Sequence, residues 1–151
     1  MVSINWCKKQ SKGIELISPS EHISFKYIVH ANETLELMRF VHPKSEVWFS
    51  TMNYYFIYSI AYAYLMRVGV KCEIHECTIK VIELLEAYDF LPKGFSLMLI
   101  EGKKNRIDNQ YHLKSIPVAF DYEKLYTMLQ DIKLIISSLS EKDLRNIRKL
   151  I

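Results

Sequence analysis

The hydrophobic pattern is dominated by one stretch, Trp48 to Met66, about 19 residues with no charged side chain, long enough to span a bilayer. Its polar groups argue against lipid. Ser50, Thr51, Asn53, Ser59 and the hydroxyls of Tyr54, Tyr55, Tyr58, Tyr62 and Tyr64 are spread along the whole run. Membrane tyrosines gather instead at the two interfaces. A soluble helix that is apolar on every side is one enclosed by protein. The run stops at Gly69, a residue suited to the left-handed position that follows a helix.

On either side, apolar positions recur with helical spacing. Ser18-Pro19-Ser20-Glu21 reads as a helix start, and Ile23, Tyr27, Ile28, Leu35, Met38 and Val41 then form a stripe that ends near Pro43. Glu46 suits the positive end of the uncharged helix. After a link from Val70 to Ile74, a third helix fits His75 to Tyr88, with Ile79, Ile82 and Leu85 inward and Lys80, Glu83 and Glu86 in solvent. Asp89 to Phe95 holds Pro92 and Gly94 and reads as a loop. A fourth helix, Ser96 to Leu113, places Leu97, Ile100, Ile107 and Tyr111 on its apolar stripe. Pro117 breaks the chain, and Asp121 caps a fifth helix with Leu125, Leu129, Ile132, Ile136 and Leu139 inward. Ser140 and Asp143 form a capping box for a short last helix to Ile151.

These elements predict one all-α domain over residues 1–151. Residues 1–19 form an N-terminal extension and 140–151 a short C-terminal helix. Short loops between helices of similar length imply an antiparallel, up-and-down bundle of about five helices. The second helix has no wet face: either it is threaded through the centre, or its outer side meets another protomer. An exposed aromatic patch that large is unusual on a monomer, so a homodimer is expected, with that helix at or behind its interface.

Composition fits this picture: half of the 151 residues are hydrophobic, with only four glycines and four prolines. A net charge of +3 does not by itself indicate nucleic-acid binding. Lys8, Lys9 and Lys12, and Arg145, Arg148 and Lys149, read as solvated clusters. The N-terminus shows no basic segment followed by an apolar run and a small-residue cleavage site, so a cytoplasmic protein is expected, with no membrane association. The odd count of three cysteines, Cys7, Cys72 and Cys77, then implies reduced thiols. Cys72, His75 and Cys77 are zinc-type ligands close in sequence, but a structural site wants four, so the cysteines read as small hydrophobes and no metal or cofactor is expected. No Gly-rich phosphate loop or serine triad is present.

Three segments resemble the HEPN superfamily of helical domains, in particular an archaeal-type subgroup often encoded beside minimal nucleotidyltransferases. The first is Trp6-Cys7-Lys8-Lys9-Gln10 through Lys12-Gly13-Ile14-Glu15-Leu16 to Pro19. The second is Tyr54-Tyr55-Phe56 in an apolar helix, followed by Met66, Gly69, Lys71-Cys72 and His75. The third is Arg106-Ile107-Asp108-Asn109-Gln110-Tyr111-His112. The resemblance implies a dimerising bundle of four or five helices. It also implies that Arg106 and His112 match the arginine and histidine with which active members cleave RNA without metal. Ile107 stands where such members commonly have a polar residue.

The expected function is therefore a metal-independent, toxin-like ribonuclease, the toxin-antitoxin counterpart of a nucleotidyltransferase partner. The alternative is a non-catalytic HEPN module that binds a nucleotide or docks on that partner. In the enzymatic reading Arg106 clamps the phosphate and His112 moves protons. Asp108, Asn109 and Tyr111 are candidate substrate-binding groups. Residues six apart on a helix point about 120° from each other. The pair converges only if the helix frays before Pro117 or a twofold brings two copies into one cleft. A surface ion pair of Arg106 with Asp108 or Glu101 is the competing reading, as is packing of Tyr111 in the core.

Overall fold

The computed structural model describes residues 2–151, so Met1, the first residue of the extension, lies outside it. Seven helices and one two-stranded ribbon make up the described chain: α1 (Ile4–Lys9), β1 (Glu15–Leu16), α2 (Glu21–Val41), α3 (Glu46–Val68), β2 (Val70–Lys71), α4 (His75–Ala87), α5 (Phe95–Gln110), α6 (Tyr122–Ser138) and α7 (Glu141–Leu150). The all-α class holds, with more elements than the pattern predicted.

The helix starts follow the local chemistry. The Ser20, Ser45, Asp121 and Ser140 side chains each accept a backbone N–H from the first turn of α2, α3, α6 and α7 respectively. Ser140 and Asp143 complete the predicted capping box. Helix α3 ends at Gly69, whose φ of 74° is left-handed. A Cβ at that position would collide with the Ile17 carbonyl and the Arg148 guanidinium, so only glycine fits.

Helix α3 is the centre of the molecule. It packs on α2, α5, α6, α7 and β2, and every residue from Ala61 to Val70 is buried within the single chain. The uncharged stretch is thus explained by threading through the bundle, and its burial requires no second protomer. Only the N-terminal half of its outer side stays open, at Trp48 and Tyr55. Where α3 ends, the Arg148 guanidinium of α7 donates to the carbonyls of Ile17 (2.8 Å), Val68 (3.1 Å) and Gly69 (2.8 Å).

Residues 2–19 are tied to the bundle. Ser3 caps α1, and β1 pairs antiparallel with β2 in the register Glu15↔Lys71 and Leu16↔Val70. The Lys12 carbonyl accepts the N–H groups of Glu73 and Ile74, which carries α1 onto the first turn of α4. There Cys7 and Cys77 form a disulfide with Cα atoms 5.6 Å apart. This corrects the expectation of reduced thiols. An odd count leaves one cysteine over but does not forbid a pair, and the ribbon brings two residues 70 apart in sequence into bonding range. The remaining thiol, Cys72, is buried, and burial pushes its pKa up to about 12.

Two further expectations are corrected. Glu86 is buried, not solvated. The N-cap of α5 is Gly94, which has no side chain, and Glu86 takes its place by accepting from the Ser96 N–H, the Ser96 hydroxyl (3.0 Å) and the Gly94 N–H (3.4 Å). Helix α5 is also rotated relative to its apolar stripe. Leu97, Ile100 and Tyr111 face solvent, while Phe95, Leu99, Gly102 and Asn109 are buried. Gly102 marks the crossing with α3. A Cβ there would lie 3.5 Å from the Tyr54 ring, so α5 sets its small residue against α3 at the crossing.

Candidate functional site

The crossing of α5 over α3 fixes Arg106. One turn beyond Gly102, its guanidinium lies 4.8 Å from the centroid of the Tyr54 ring and 5.4 Å from that of Tyr55. Nη1 donates to the Tyr55 hydroxyl at 3.0 Å. Nε is buried without a partner, and Nη2 is neither bonded within the chain nor buried. The competing ion pair is absent: among the described residues Arg106 meets no carboxylate, because Asp108 bonds Lys114 at 2.7 Å and Glu76 pairs with Lys103. Arg106 is thus a half-buried cation held by two aromatic faces, with donor capacity unspent.

Tyr54 joins this arginine to His75, the first residue of α4. The Tyr54 hydroxyl lies 2.5 Å from His75 Nδ1, and the His75 ring stacks on Tyr58 at 4.6 Å and on Tyr54 at 5.8 Å. Tyr54 is fully buried, and burial pushes its pKa far above the ordinary phenol value. The phenol therefore keeps its proton, and with no other acceptor in reach among the described residues its O–H donates to Nδ1. Burial first, then the charges of Arg106 and Lys103, lower the pKa of His75, so the ring is neutral at neutral pH. Tyr58 reaches the Thr78 hydroxyl at 3.4 Å, and Tyr62 continues the aromatic row to Tyr27.

No family model, curated protein or solved structure matches the chain.

The other sequence candidates are placed as follows. Helix α5 ends at Gln110, and His112 lies exposed in the turn beyond, its backbone N–H on the Ile107 carbonyl. No hydrogen bond or stacking contact joins His112 to Arg106 within the chain. Tyr111 is 65% exposed, which removes the core-packing reading and leaves its hydroxyl in solvent. Asp108 is buried, and the Lys114 ammonium holds its carboxyl below the usual range. Asn109 is fully buried, donating to the Ile116 carbonyl (2.9 Å) and accepting its N–H (2.7 Å). These two side chains fasten the segment after α5, where Leu113 and Ser115 take positive φ. In this chain they are anchors for the loop that carries His112.

Sequence reasoning passed over Tyr54, Tyr55 and His75 as site residues. Tyrosines at 54, 58 and 62 share one face of α3, and a histidine opens the next helix; spacing alone does not say that the two meet. A cavity of about 660 Å³ lies elsewhere, between α5 and α6, floored by Phe95, Met98, Met128 and Ile132. None of its lining residues belongs to the Arg106 shelf. The described residues hold no group of His, Cys, Asp or Glu side chains arranged for a metal ion. No described helix is long and apolar enough to cross a membrane.

Proposed function

We propose that this chain is a HEPN-type helical protein that engages RNA through Arg106 and cleaves it without metal, in a toxin-like pairing with a nucleotidyltransferase partner. One observation supports it above the rest: a half-buried guanidinium on an aromatic shelf with no carboxylate to neutralise it. A guanidinium so held presents a preorganised fork to a phosphodiester, and the exposed Tyr55 ring beside it offers a face on which a base can stack. In such cleavage the 2′-hydroxyl attacks phosphorus, a base takes its proton, an acid protonates the departing 5′-oxygen, and a 2′,3′-cyclic phosphate remains. Arg106 stabilises the charge that builds on the phosphoryl oxygens.

The reading is tested by incubating the protein with RNA in EDTA. Cleavage that is lost in Arg106→Ala, by about a hundredfold or more, and in His112→Ala supports it. An inactive wild type, or variants that cut as well as it does, ends it.

A second reading is favoured by the position of His112, which the chain does not bring to Arg106. In it the protein binds a nucleotide or docks on the nucleotidyltransferase without turnover. Nucleotide binding by calorimetry, and co-purification with that partner, distinguish the two. Trp48, Tyr55, Tyr111 and Leu113 are exposed apolar side chains consistent with a homodimer that completes an Arg106–His112 pair across a twofold. Light scattering at micromolar concentration decides whether that dimer exists.

A further inference from the structure

We propose that His75 is the second ligand-contacting group of the Arg106 site, donating its Nε2–H to a phosphate oxygen of the strand that Arg106 engages. The inference rests on the phosphate-binding part of the function proposed above, and it assigns a residue outside the Arg106–His112 pair.

The argument is one of hydrogen-bond bookkeeping around a single ring. His75 Nδ1 is occupied by the Tyr54 hydroxyl at 2.5 Å. That hydroxyl is the donor, because Tyr54 is fully buried and Nδ1 is the one acceptor its O–H reaches among the described residues; in the opposite sense the phenol proton would be buried without a partner. Nδ1 is therefore the acceptor, and the one proton of the neutral ring sits on Nε2. Nε2 has no partner in the chain, yet it is not buried. The ring has little freedom to turn away: Tyr58 stacks on it with an interplanar angle of 23°, and Tyr54 at 24°.

A histidine that merely filled space at a helix start would leave neither nitrogen so placed. Here one nitrogen is spent on orienting the ring and the other is presented outward with its proton fixed. The charges around it favour an anion. Arg106 lies against the same Tyr54 ring on which His75 stacks, Lys103 lies one turn before Arg106, and the carboxylate of the neighbouring Glu76 is engaged by Lys103. A neutral donor beside two cations suits a phosphate monoester or diester. Arg106 supplies charge, His75 supplies a directed N–H, and Tyr55 with Tyr58 supplies aromatic faces for a base.

The test follows the His75 ring resonances by NMR in the full-length protein, titrated separately with a 2′-O-methyl oligouridine, which has no 2′-hydroxyl to react, and with inorganic phosphate. Saturable shifts at His75 that vanish in Arg106→Gln are expected with the oligonucleotide. Its affinity should fall about tenfold in His75→Gln, the loss of roughly one charge-assisted hydrogen bond. Because His75→Gln disturbs packing as well, Tyr54→Phe is the second variant. It keeps both rings and removes only the bond that fixes the tautomer, so weaker binding, with a melting temperature lowered by no more than the loss of one hydrogen bond, is the expected result. Unmoved His75 resonances with both ligands, shifts that persist in Arg106→Gln, or shifts at His112 alone overturn the assignment. Shifts with phosphate but none with the oligonucleotide keep the site and remove RNA as its ligand. Shifts with the oligonucleotide alongside no cleavage of natural RNA keep the site and remove the ribonuclease.

Discussion

At the level of single residues, the side chains that matter most are ionisable or polar groups whose surroundings fix their protonation or their partners. The pKa of His75 is lowered in the folded chain, so between its unfolded value near 6.5 and its folded value the unfolded state binds more protons. Its contribution is therefore neutral above that window and destabilising as pH falls through it. Urea unfolding between pH 7.5 and 5.5 should show a stability loss that His75→Gln lacks. Losses from the lowered carboxylates, such as Glu76 and Asp108, belong to more acidic solutions. Glu86 is the second such residue. Removing its carboxylate leaves the Ser96 and Gly94 amides without a cap. Glu86→Ala should cost about 2–3 kcal/mol in denaturant unfolding, and Glu86→Gln, which keeps an oxygen, clearly less. Neither role was legible in the sequence. Glu86 stands on the polar side of a helical pattern, and nothing in a linear order of residues says that the following helix starts on a glycine with no cap of its own.

The legible parts at the level of elements were those written locally. Serines, aspartates and Gly69 marked the boundaries, and five main helices fell close to where periodicity placed them. The illegible parts were those decided by neighbours. The stripe Leu97, Ile100, Ile107, Tyr111 is a valid amphipathic face, but α5 turns most of it outward and sets Gly102 against Tyr54 and Ile57 on the other side. Packing at a crossing overrode the apolar count. Gly102→Ala adds a methyl at ordinary contact distance and should be tolerated within about 0.5 kcal/mol, whereas Gly102→Leu should push α5 off α3 and weaken any binding that depends on Arg106. Comparing melting temperature and oligonucleotide affinity for both variants tests this. Gly69→Ala tests the other glycine: strain at positive φ together with the collision at Ile17 should cost about 2 kcal/mol or more in thermal unfolding. The ribbon β1–β2 was missed because two paired residues per strand leave no periodicity to read.

For the whole molecule, the pattern correctly announced that α3 is surrounded, and left open by what. The surroundings are five other elements of the same chain, so α3 itself gives no argument for a dimer; that argument now rests on the smaller exposed set around Trp48 and Tyr55. The Cys7–Cys77 bond closes a loop of 70 residues that includes all of α2 and α3. By loop-closure entropy it contributes about 4 kcal/mol, so dithiothreitol, or Cys7→Ser, should lower the urea midpoint markedly; an unchanged midpoint would show that the two sulfurs are not bonded in solution. Finally, the contact of Arg148 with the carbonyls of Ile17, Val68 and Gly69 has a temporal side. During synthesis the end of the central helix and the N-terminal strap are made long before residue 148 emerges from the ribosome. Until then those carbonyls lack the Arg148 donor, and the core surface that Leu144 and Ile147 cover stays open. The last turn of α7 is thus the piece that completes the packing around the end of α3.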